Sequence, residues 1–215
     1  MPSAYIFCPS DALNIKNINV SGENDVENIY IAADSGIKTA KILNKIPDII
    51  IGDFDSFDLN GYKNSRNTKI IKYPAEKDET DSMLAVKYAL ENGYKNIAVI
   101  GGLGGRIDHT LANLFLLKYI KNRGGNGYIS DGYNKITYLE NSKCEIYKKY
   151  KYISIIPAAE KISGVSLIGF KYPLTEASVS SEEPYTVCNE ILESRNYGEI
   201  EIKYGGALIC ECDDM

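Results

Sequence analysis

The stretch Pro47-Asp48-Ile49-Ile50-Ile51-Gly52-Asp53-Phe54-Asp55-Ser56 predicts a buried strand that ends in acidic side chains. Three consecutive isoleucines are typical of a buried strand, and Gly52 marks its end. In extended backbone Asp53 and Asp55 project to the same side, with Phe54 turned into the fold. Paired carboxylates are costly without a cation, and open α/β folds bind ligands at the carboxyl edge of the sheet. The stretch therefore indicates either a Mg²⁺ site or, as the alternative, a solvated acidic turn.

Strands and helices alternate through the first half of the chain. Strands are predicted at 4–8, 28–33, 49–51, 69–73 and 96–100, and helices after residues 36, 80 and 107. This alternation predicts βαβ units and therefore an α/β fold with a mainly parallel, Rossmann-like sheet and flanking helices. On the third helix, the candidate buried positions are Leu111, Leu114, Phe115 and Ile120.

The sequence changes character after the glycine-rich segment 122–127. Short strands separated by turns are then predicted at 135–139, 144–147, 152–156, 165–170, 186–189, 200–204 and 207–212. Many short strands with turn signals are typical of a sandwich or a small barrel. We therefore predict an α/β domain over residues 1–126 and a smaller all-β sandwich domain over residues 127–215.

The composition of the chain argues against several classes of protein. The 215 residues are 44% apolar and 25% charged, as in ordinary globular proteins, and the net charge of −5 argues against a broad nucleic-acid surface. The chain has no apolar run of the ~20 residues that cross a bilayer, and its N-terminus lacks a signal-peptide pattern, so we expect a cytoplasmic protein without membrane contact. The five scattered cysteines indicate reduced thiols rather than a disulfide framework or a zinc site.

Further charged residues follow predicted strands or the loops after them: Asp34, Asp78, Asp81, Arg106 and Asp108. In a parallel sheet such positions converge on the edge that also carries Asp53. Asp78 and Asp81 have a simpler interpretation as helix-capping acids, with Asp78 or Thr80 as the N-cap. Lys77 and Arg106 are too few to balance the acids, so a divalent metal carrying polyphosphate fits the charges.

A glycine turn, Gly101-Gly102-Leu103-Gly104-Gly105-Arg106, precedes the third helix. It is neither a P-loop nor a dinucleotide motif, because Ile107 stands where the third glycine would be needed. The glycines either allow a tight strand-to-helix turn or bring backbone amides to a phosphate, with Arg106 as a charged fork. His109, the single histidine, follows the turn, although a lone histidine is more often structural.

Four segments in series resemble the thiamine pyrophosphokinase family: Ala33-Asp34-Ser35-Gly36, the opening stretch, Glu76-Lys77-Asp78-Glu79-Thr80-Asp81, and Gly104-Gly105-Arg106-Ile107-Asp108-His109. The resemblance covers most of the predicted α/β domain and extends more loosely over the β-rich remainder. It implies an α/β nucleotide-binding domain followed by a β-sandwich, in a homodimer with thiamine bound between the subunits. The implied reaction is transfer of diphosphate from ATP to the thiamine hydroxyl with Mg²⁺, giving thiamine diphosphate and AMP.

The same resemblance implies roles for individual residues. Those implied to act in catalysis are Asp53, Asp55, Asp78, Asp81, Arg106 and Asp108, of which Asp53, Asp55 and Asp81 hold the metal. Those implied to contact the nucleotide are Asp34, Lys77, Thr80, Arg106 and His109. In the second domain Cys188 and Asn189 match a thiamine-binding Ser-Asn pair, with a thiol in place of the usual hydroxyl.

Two other functions compete with this interpretation. A metal-dependent phosphohydrolase could use the same acids, with the first aspartate of Asp53-Phe54-Asp55 as a nucleophile. A nucleotide- or thiamine-sensing module would bind ATP without turnover. An aspartyl-phosphate intermediate would indicate the phosphohydrolase, whereas AMP release that requires thiamine would exclude it.

Overall fold

The computed structural model describes residues 3–20, 27–54, 68–74, 76 and 78–214. It is a mixed, sheet-dominated α/β fold with few helices, which confirms the α/β class predicted from the alternation of strands and helices. Contacts divide the chain into two compact units, Met1–Gly132 and Tyr133–Met215. No helix within the described ranges is long and apolar enough to cross a membrane.

The first unit contains a parallel sheet with helices. Its strands are β1 (Ser3–Phe7), β2 (Ile29–Ala33), β3 (Ile49–Gly52), β4 (Lys69–Lys72), β5 (Asn96–Ile100) and β6 (Asn126–Ser130). Its helices are α1 (Ile37–Ile42), α2 (Asp81–Glu91) and α3 (Ile107–Asn122). The strand order is β6-β5-β1-β2-β3-β4, and every pairing is parallel. The order reverses between β1 and β5, where open α/β sheets form a crevice beyond the strand ends.

The central strands are buried on both faces, as parallel strands usually are. Ile50 and Ile51 of β3 are 0% exposed, as the run of isoleucines predicted. Gly36 follows β2, and a Cβ atom there would lie 1.9 Å from the carbonyl oxygen of Phe7. Only glycine therefore allows the chain after β2 to pass this close to the end of β1.

Helix α3 presents a different face to the core than the sequence suggested. Ile120 is buried as predicted, but Leu111 is 49% exposed and Phe115 is 63% exposed. The buried leucines are instead Leu116 and Leu117. Apolar residues occupy every side of this helix, so spacing alone could not identify the buried face.

The second unit is antiparallel β-structure. Its strands are β7 (Asn134–Tyr147), β8 (Tyr152–Pro157), β9 (Lys161–Ile168), β10 (Leu174–Ser180) and β11 (Tyr197–Cys212). Strand β11 pairs with β7 on one side, and with β9 and then β8 on the other. The sequence predicted two strands each in place of β7 and β11, and it missed β10. Residues 186–189 form only an isolated bridge, Ile153 to Asn189, in place of the predicted strand.

Candidate active site

A cavity of about 340 Å³ lies in the first unit. Its walls come from the ends of β1 and β2, the start of α2, the glycine turn after β5 and the first turns of α3. Five residues that the sequence analysis selected line it: Asp34, Thr80, Asp81, Arg106 and His109. Residues from distant parts of the chain thus meet at one place because parallel strands end at the same edge.

Asp34 has an unusual conformation and environment. Its φ of 46° is in the left-handed region, which aspartate tolerates better than most residues. Its Oδ1 atom is buried and accepts no hydrogen bond from any described residue. A buried carboxylate oxygen without a partner is costly, so this atom is suited to a ligand that supplies a donor or a cation.

Asp53 follows Gly52, whose backbone lies close to that of Asp34. A Cβ atom on Gly52 would lie 3.2 Å from the Cα atom of Asp34, so the ends of β2 and β3 are in contact. Asp53 is not itself one of the cavity-lining residues. Asp55 and Lys77, which the sequence analysis also selected, lie outside the described residues.

The donor set fits a hard divalent cation. Such cations take carboxylate oxygens as ligands, and the cavity offers Asp81 and the unpartnered Oδ1 of Asp34. Within the described ranges, which omit Asp55, no three His, Cys, Asp or Glu side chains are arranged to hold a metal ion. A bound ion would therefore need further oxygen ligands, which phosphate groups or water can supply.

Cys8 lies in the cavity wall but remains a neutral thiol. Its burial raises its pKa to about 12, and the negative charge of Asp81 adds to the effect. A thiol with such a pKa is neither a nucleophile nor a metal ligand near neutral pH.

Within the described part of the chain, the glycine turn carries backbone amides that have no hydrogen-bond partner. Gly101, Gly102, Gly104 and Gly105 all have positive φ, between 61° and 83°, which favours glycine. None of the amide groups of residues 103–106, all of which line the cavity, donates a hydrogen bond within the described part of the chain. Successive unpaired N–H groups at the start of a helix form an anion-binding concavity.

Arg106 and Asp108 form a forked ion pair beside this turn. The Arg106 Nε and Nη2 atoms donate to the two carboxylate oxygens of Asp108 at 3.1 and 2.5 Å. The hydrogen bond from Arg106 holds the pKa of Asp108 below its ordinary value, and the same bond raises the pKa of Arg106. Both side chains are largely exposed, so the pair contributes little to stability. Asp108 instead orients a cationic group that lines the cavity.

The remaining predicted residues of this unit have simpler environments. The Thr80 hydroxyl accepts a hydrogen bond from the Met83 amide at 3.2 Å, so Thr80 is the N-cap of α2. Asp78 is exposed and does not line the cavity. His109 does line it, and its backbone amide donates to the Asp108 carboxylate at 2.9 Å.

In the second unit Cys188 and Asn189 differ sharply in accessibility. Cys188 is exposed with a φ of 57°, and its amide donates to the Ser154 hydroxyl at 3.0 Å. Asn189 is 4% exposed, and its Oδ1 accepts from the amides of Tyr172 and Glu190. Its Nδ2 donates to the Tyr172 carbonyl at 2.8 Å. Asn189 therefore holds the loop in place, and Cys188 is the accessible side chain of the pair.

Sequence reasoning missed several residues of the cavity, among them Asp11, Ser82 and Asn113. Asn113 is buried in the middle of an apolar helix, and a polar residue at such a position was the available signal. Asp11 lies in a loop after β1 without any recognisable motif. Its carboxylate is close to the glycine turn, since a Cβ atom on Gly105 would lie 2.9 Å from Oδ2 of Asp11.

Two family models match the chain. "Thiamin pyrophosphokinase, catalytic domain" matches residues 23–128, and "Thiamin pyrophosphokinase, vitamin B1 binding domain" matches residues 140–205. Thiamine pyrophosphokinase from Bacillus subtilis (strain 168) is 33% identical over 183 residues, which is 82% of this chain and 85% of that protein. Thiamin pyrophosphokinase 1 from Caenorhabditis elegans is 28% identical over 207 residues, which is 87% of this chain and 84% of that protein.

Solved structures agree with these matches. The crystal structure of thiamine pyrophosphokinase from Bacillus subtilis superposes with a TM-score of 0.85 at 26% identity, over 100% of this chain and 99% of that one. The structure of thiamin pyrophosphokinase from Geobacillus thermodenitrificans gives a TM-score of 0.82 at 27% identity, over 100% of this chain and 98% of that one. The similarity therefore extends over both units rather than over the cavity alone.

Proposed function

The chain belongs to the thiamin pyrophosphokinase family and is an enzyme, a thiamine diphosphokinase, and from this premise we propose its reaction in detail. It transfers the diphosphate group of ATP to the hydroxyl of thiamine and releases AMP. The supporting observation is the cavity itself, which is lined by carboxylates, by a turn of unpaired amides and by an arginine. Transfer of this kind depends mostly on positioning and on charge stabilisation, and such a lining offers both.

We assign the polyphosphate to the glycine turn. The amides of residues 103–106 donate to phosphate oxygens, and the Arg106 fork binds the transferred diphosphate through the N–H groups that are not bonded to Asp108. Asp108 keeps that fork oriented through its two hydrogen bonds. Lys77 is assigned to the same phosphate chain by position in the sequence, and His109 and Thr80 complete the rim.

We assign Mg²⁺ to Asp53, Asp55 and Asp81, which would hold the ion together with the unpartnered oxygen of Asp34. When bound, the ion neutralises charge on the phosphate oxygens. Asp78 remains assigned as a supporting acid outside the cavity lining. The carboxylates bind and orient in this account, and none of them needs to act as a strong base in a loose transition state.

We divide these tasks between two domains. Residues 1–132 form a Rossmann-like nucleotide-binding and catalytic domain, and residues 133–215 form a β-sandwich that binds thiamine and dimerises. We place the boundary after β6 because that strand pairs with β5 in the first unit. The positions of the two family matches support this division. We place the enzyme in the cytoplasm, where ATP is available.

We propose a homodimer with thiamine at the subunit interface. The exposed Tyr147 ring, whose centre lies 5.9 Å from that of Tyr197 within residues 133–215, supports the proposal, because aromatic side chains are enriched at interfaces. Sedimentation velocity should give the mass of two chains at assay concentration. A single-chain mass in the active enzyme would contradict it.

Mass analysis of the products tests the proposed reaction. Incubation with ATP, Mg²⁺ and thiamine should give AMP and thiamine diphosphate in equal amounts, and removal of either thiamine or the metal should stop both. Release of inorganic phosphate without thiamine would instead indicate a phosphohydrolase. ATP binding without products would indicate a sensing module.

Replacement of the Cys188 thiol by a hydroxyl should change KM for thiamine. A serine hydroxyl forms stronger hydrogen bonds than a thiol, so Cys188→Ser is expected to lower KM for thiamine by about 2- to 10-fold, which is the value of one hydrogen bond. KM for ATP should not change. Cys188→Ala is the matched control, since it removes the thiol without adding a hydroxyl. Equal thiamine KM values in all three proteins would show that this side chain does not contact thiamine.

A further inference from the structure

The carbonyl groups of the glycine turn are bound by two side chains of α3. The Asn113 Nδ2 atom donates to the Gly102 carbonyl at 2.9 Å. The Thr110 hydroxyl donates to the Gly104 carbonyl at 3.1 Å. The carbonyl groups of Gly102 and Gly104 are therefore both bound to α3, by side chains that lie about one helical turn apart.

Asn113 is itself held firmly. It is 6% exposed, and its Oδ1 accepts a hydrogen bond from the Ser82 hydroxyl of α2 at 2.7 Å. The Ser82 hydroxyl lies 3.1 Å from that of Thr80, the N-cap of α2. A Cβ atom on Gly102 would lie only 2.7 Å from Asn113 Nδ2, so glycine is needed for this close approach. The buried amide thus joins α2, α3 and the turn.

These bonds fix the direction of the neighbouring N–H groups. In a planar trans peptide the carbonyl and the following N–H point in opposite directions. Binding of the Gly102 carbonyl to Asn113 therefore turns the Leu103 amide away from α3. The Gly104 carbonyl and the Gly105 amide are related in the same way through Thr110. Both amides belong to cavity-lining residues and donate no hydrogen bond within the described part of the chain.

We propose that Asn113, assisted by Thr110, is a positioning residue that aims the amides of the glycine turn at the phosphate chain of the nucleotide. Neither side chain needs to touch ATP, because each acts through a backbone carbonyl. The proposal rests on the assignment of the polyphosphate to this turn. It predicts a selective loss in the use of ATP rather than a general loss of activity.

Steady-state kinetics of two variants, neither of which changes the charge of the protein, test this proposal. Asn113→Ala should lower kcat/KM for ATP by about 10- to 100-fold, because small misplacement of a binding group is costly, while KM for thiamine stays within about twofold. Thr110→Val removes the second tether from a more accessible position and should lower kcat/KM for ATP in the same direction by a smaller factor. Competitive inhibition by tripolyphosphate should weaken in parallel with ATP, and inhibition by AMP should not.

Ile120→Val provides the matched control. It lies on the same helix, is 0% exposed and is remote from the cavity lining, so it lowers stability without touching the turn. If Asn113→Ala and Thr110→Val change the ATP and tripolyphosphate constants no more than Ile120→Val does, the positioning role is wrong. If Asn113→Ala does not fold, Thr110→Val alone decides by the same criterion. If Arg106→Ala also leaves ATP kinetics unchanged, the assignment of the polyphosphate to the glycine turn is wrong.

Discussion

Replacement of Arg106 by alanine is expected to lower kcat/KM for ATP by about 100- to 1000-fold, since an arginine that neutralises transition-state charge commonly contributes at least this much. The guanidinium lines the cavity and is already oriented by two hydrogen bonds to Asp108. Arg106→Lys should recover only part of the loss, because an ammonium group cannot reproduce the planar fork. Steady-state measurement of AMP release at saturating thiamine gives these values.

Arg123→Ala is the control for the loss of a cation. Arg123 lies at the other end of α3, where its guanidinium is 3.4 Å from the centre of the Tyr119 ring. This variant also removes one positive charge from the helix, but it should leave ATP kinetics unchanged. Similar ATP kinetics in Arg106→Ala and Arg123→Ala would mean that Arg106 does not bind the transferred group.

Replacement of Asp81 by asparagine should reduce kcat by at least about 100-fold and raise the Mg²⁺ concentration needed for activity, since a ligand charge is lost while the shape is kept. The fold should survive, because the Thr80 hydroxyl still caps α2 and a first-turn carboxylate contributes only ~0.3–1 kcal/mol through the helix dipole. Activity as a function of Mg²⁺ concentration, together with a thermal melt, separates the two effects.

Glu91→Gln is the corresponding control on the same helix. Glu91 is exposed at the last position of α2, so its neutralisation changes the charge of the helix far from the cavity. Its Mg²⁺ dependence should match that of the unmodified enzyme. A normal Mg²⁺ dependence in Asp81→Asn would remove Asp81 from the metal site.

The convergence of distant charged residues could be predicted from the sequence because it follows from topology. The isoleucine run of β3 identifies a buried parallel strand, and such strands end at a common edge. Asp34, Asp81 and Arg106 were placed together on this basis, and the structure does bring them into one cavity. The resemblance to thiamine pyrophosphokinases was likewise confirmed by both family models.

Other features depend on tertiary packing that the sequence does not display. Helix α3 is apolar on all sides, so neither the exposure of Phe115 nor the burial of Leu117 followed from spacing. Strand β10 is rich in polar residues, and an irregular pairing between Leu174 and Ala177 interrupts its alternation of apolar and polar side chains. The roles of Asn113 and Asn189 depend on which backbone groups lie next to their amides. Only the folded chain determines that.

A crystal structure with Mg²⁺ and a non-hydrolysable ATP analogue tests the central claim most directly. The account predicts phosphate oxygens within hydrogen-bonding distance of the amides of residues 103–106 and of the Arg106 guanidinium, in the cavity that Asp34 and Asp81 line. A nucleotide whose phosphates bind elsewhere on the chain, with this cavity left to solvent, would contradict it.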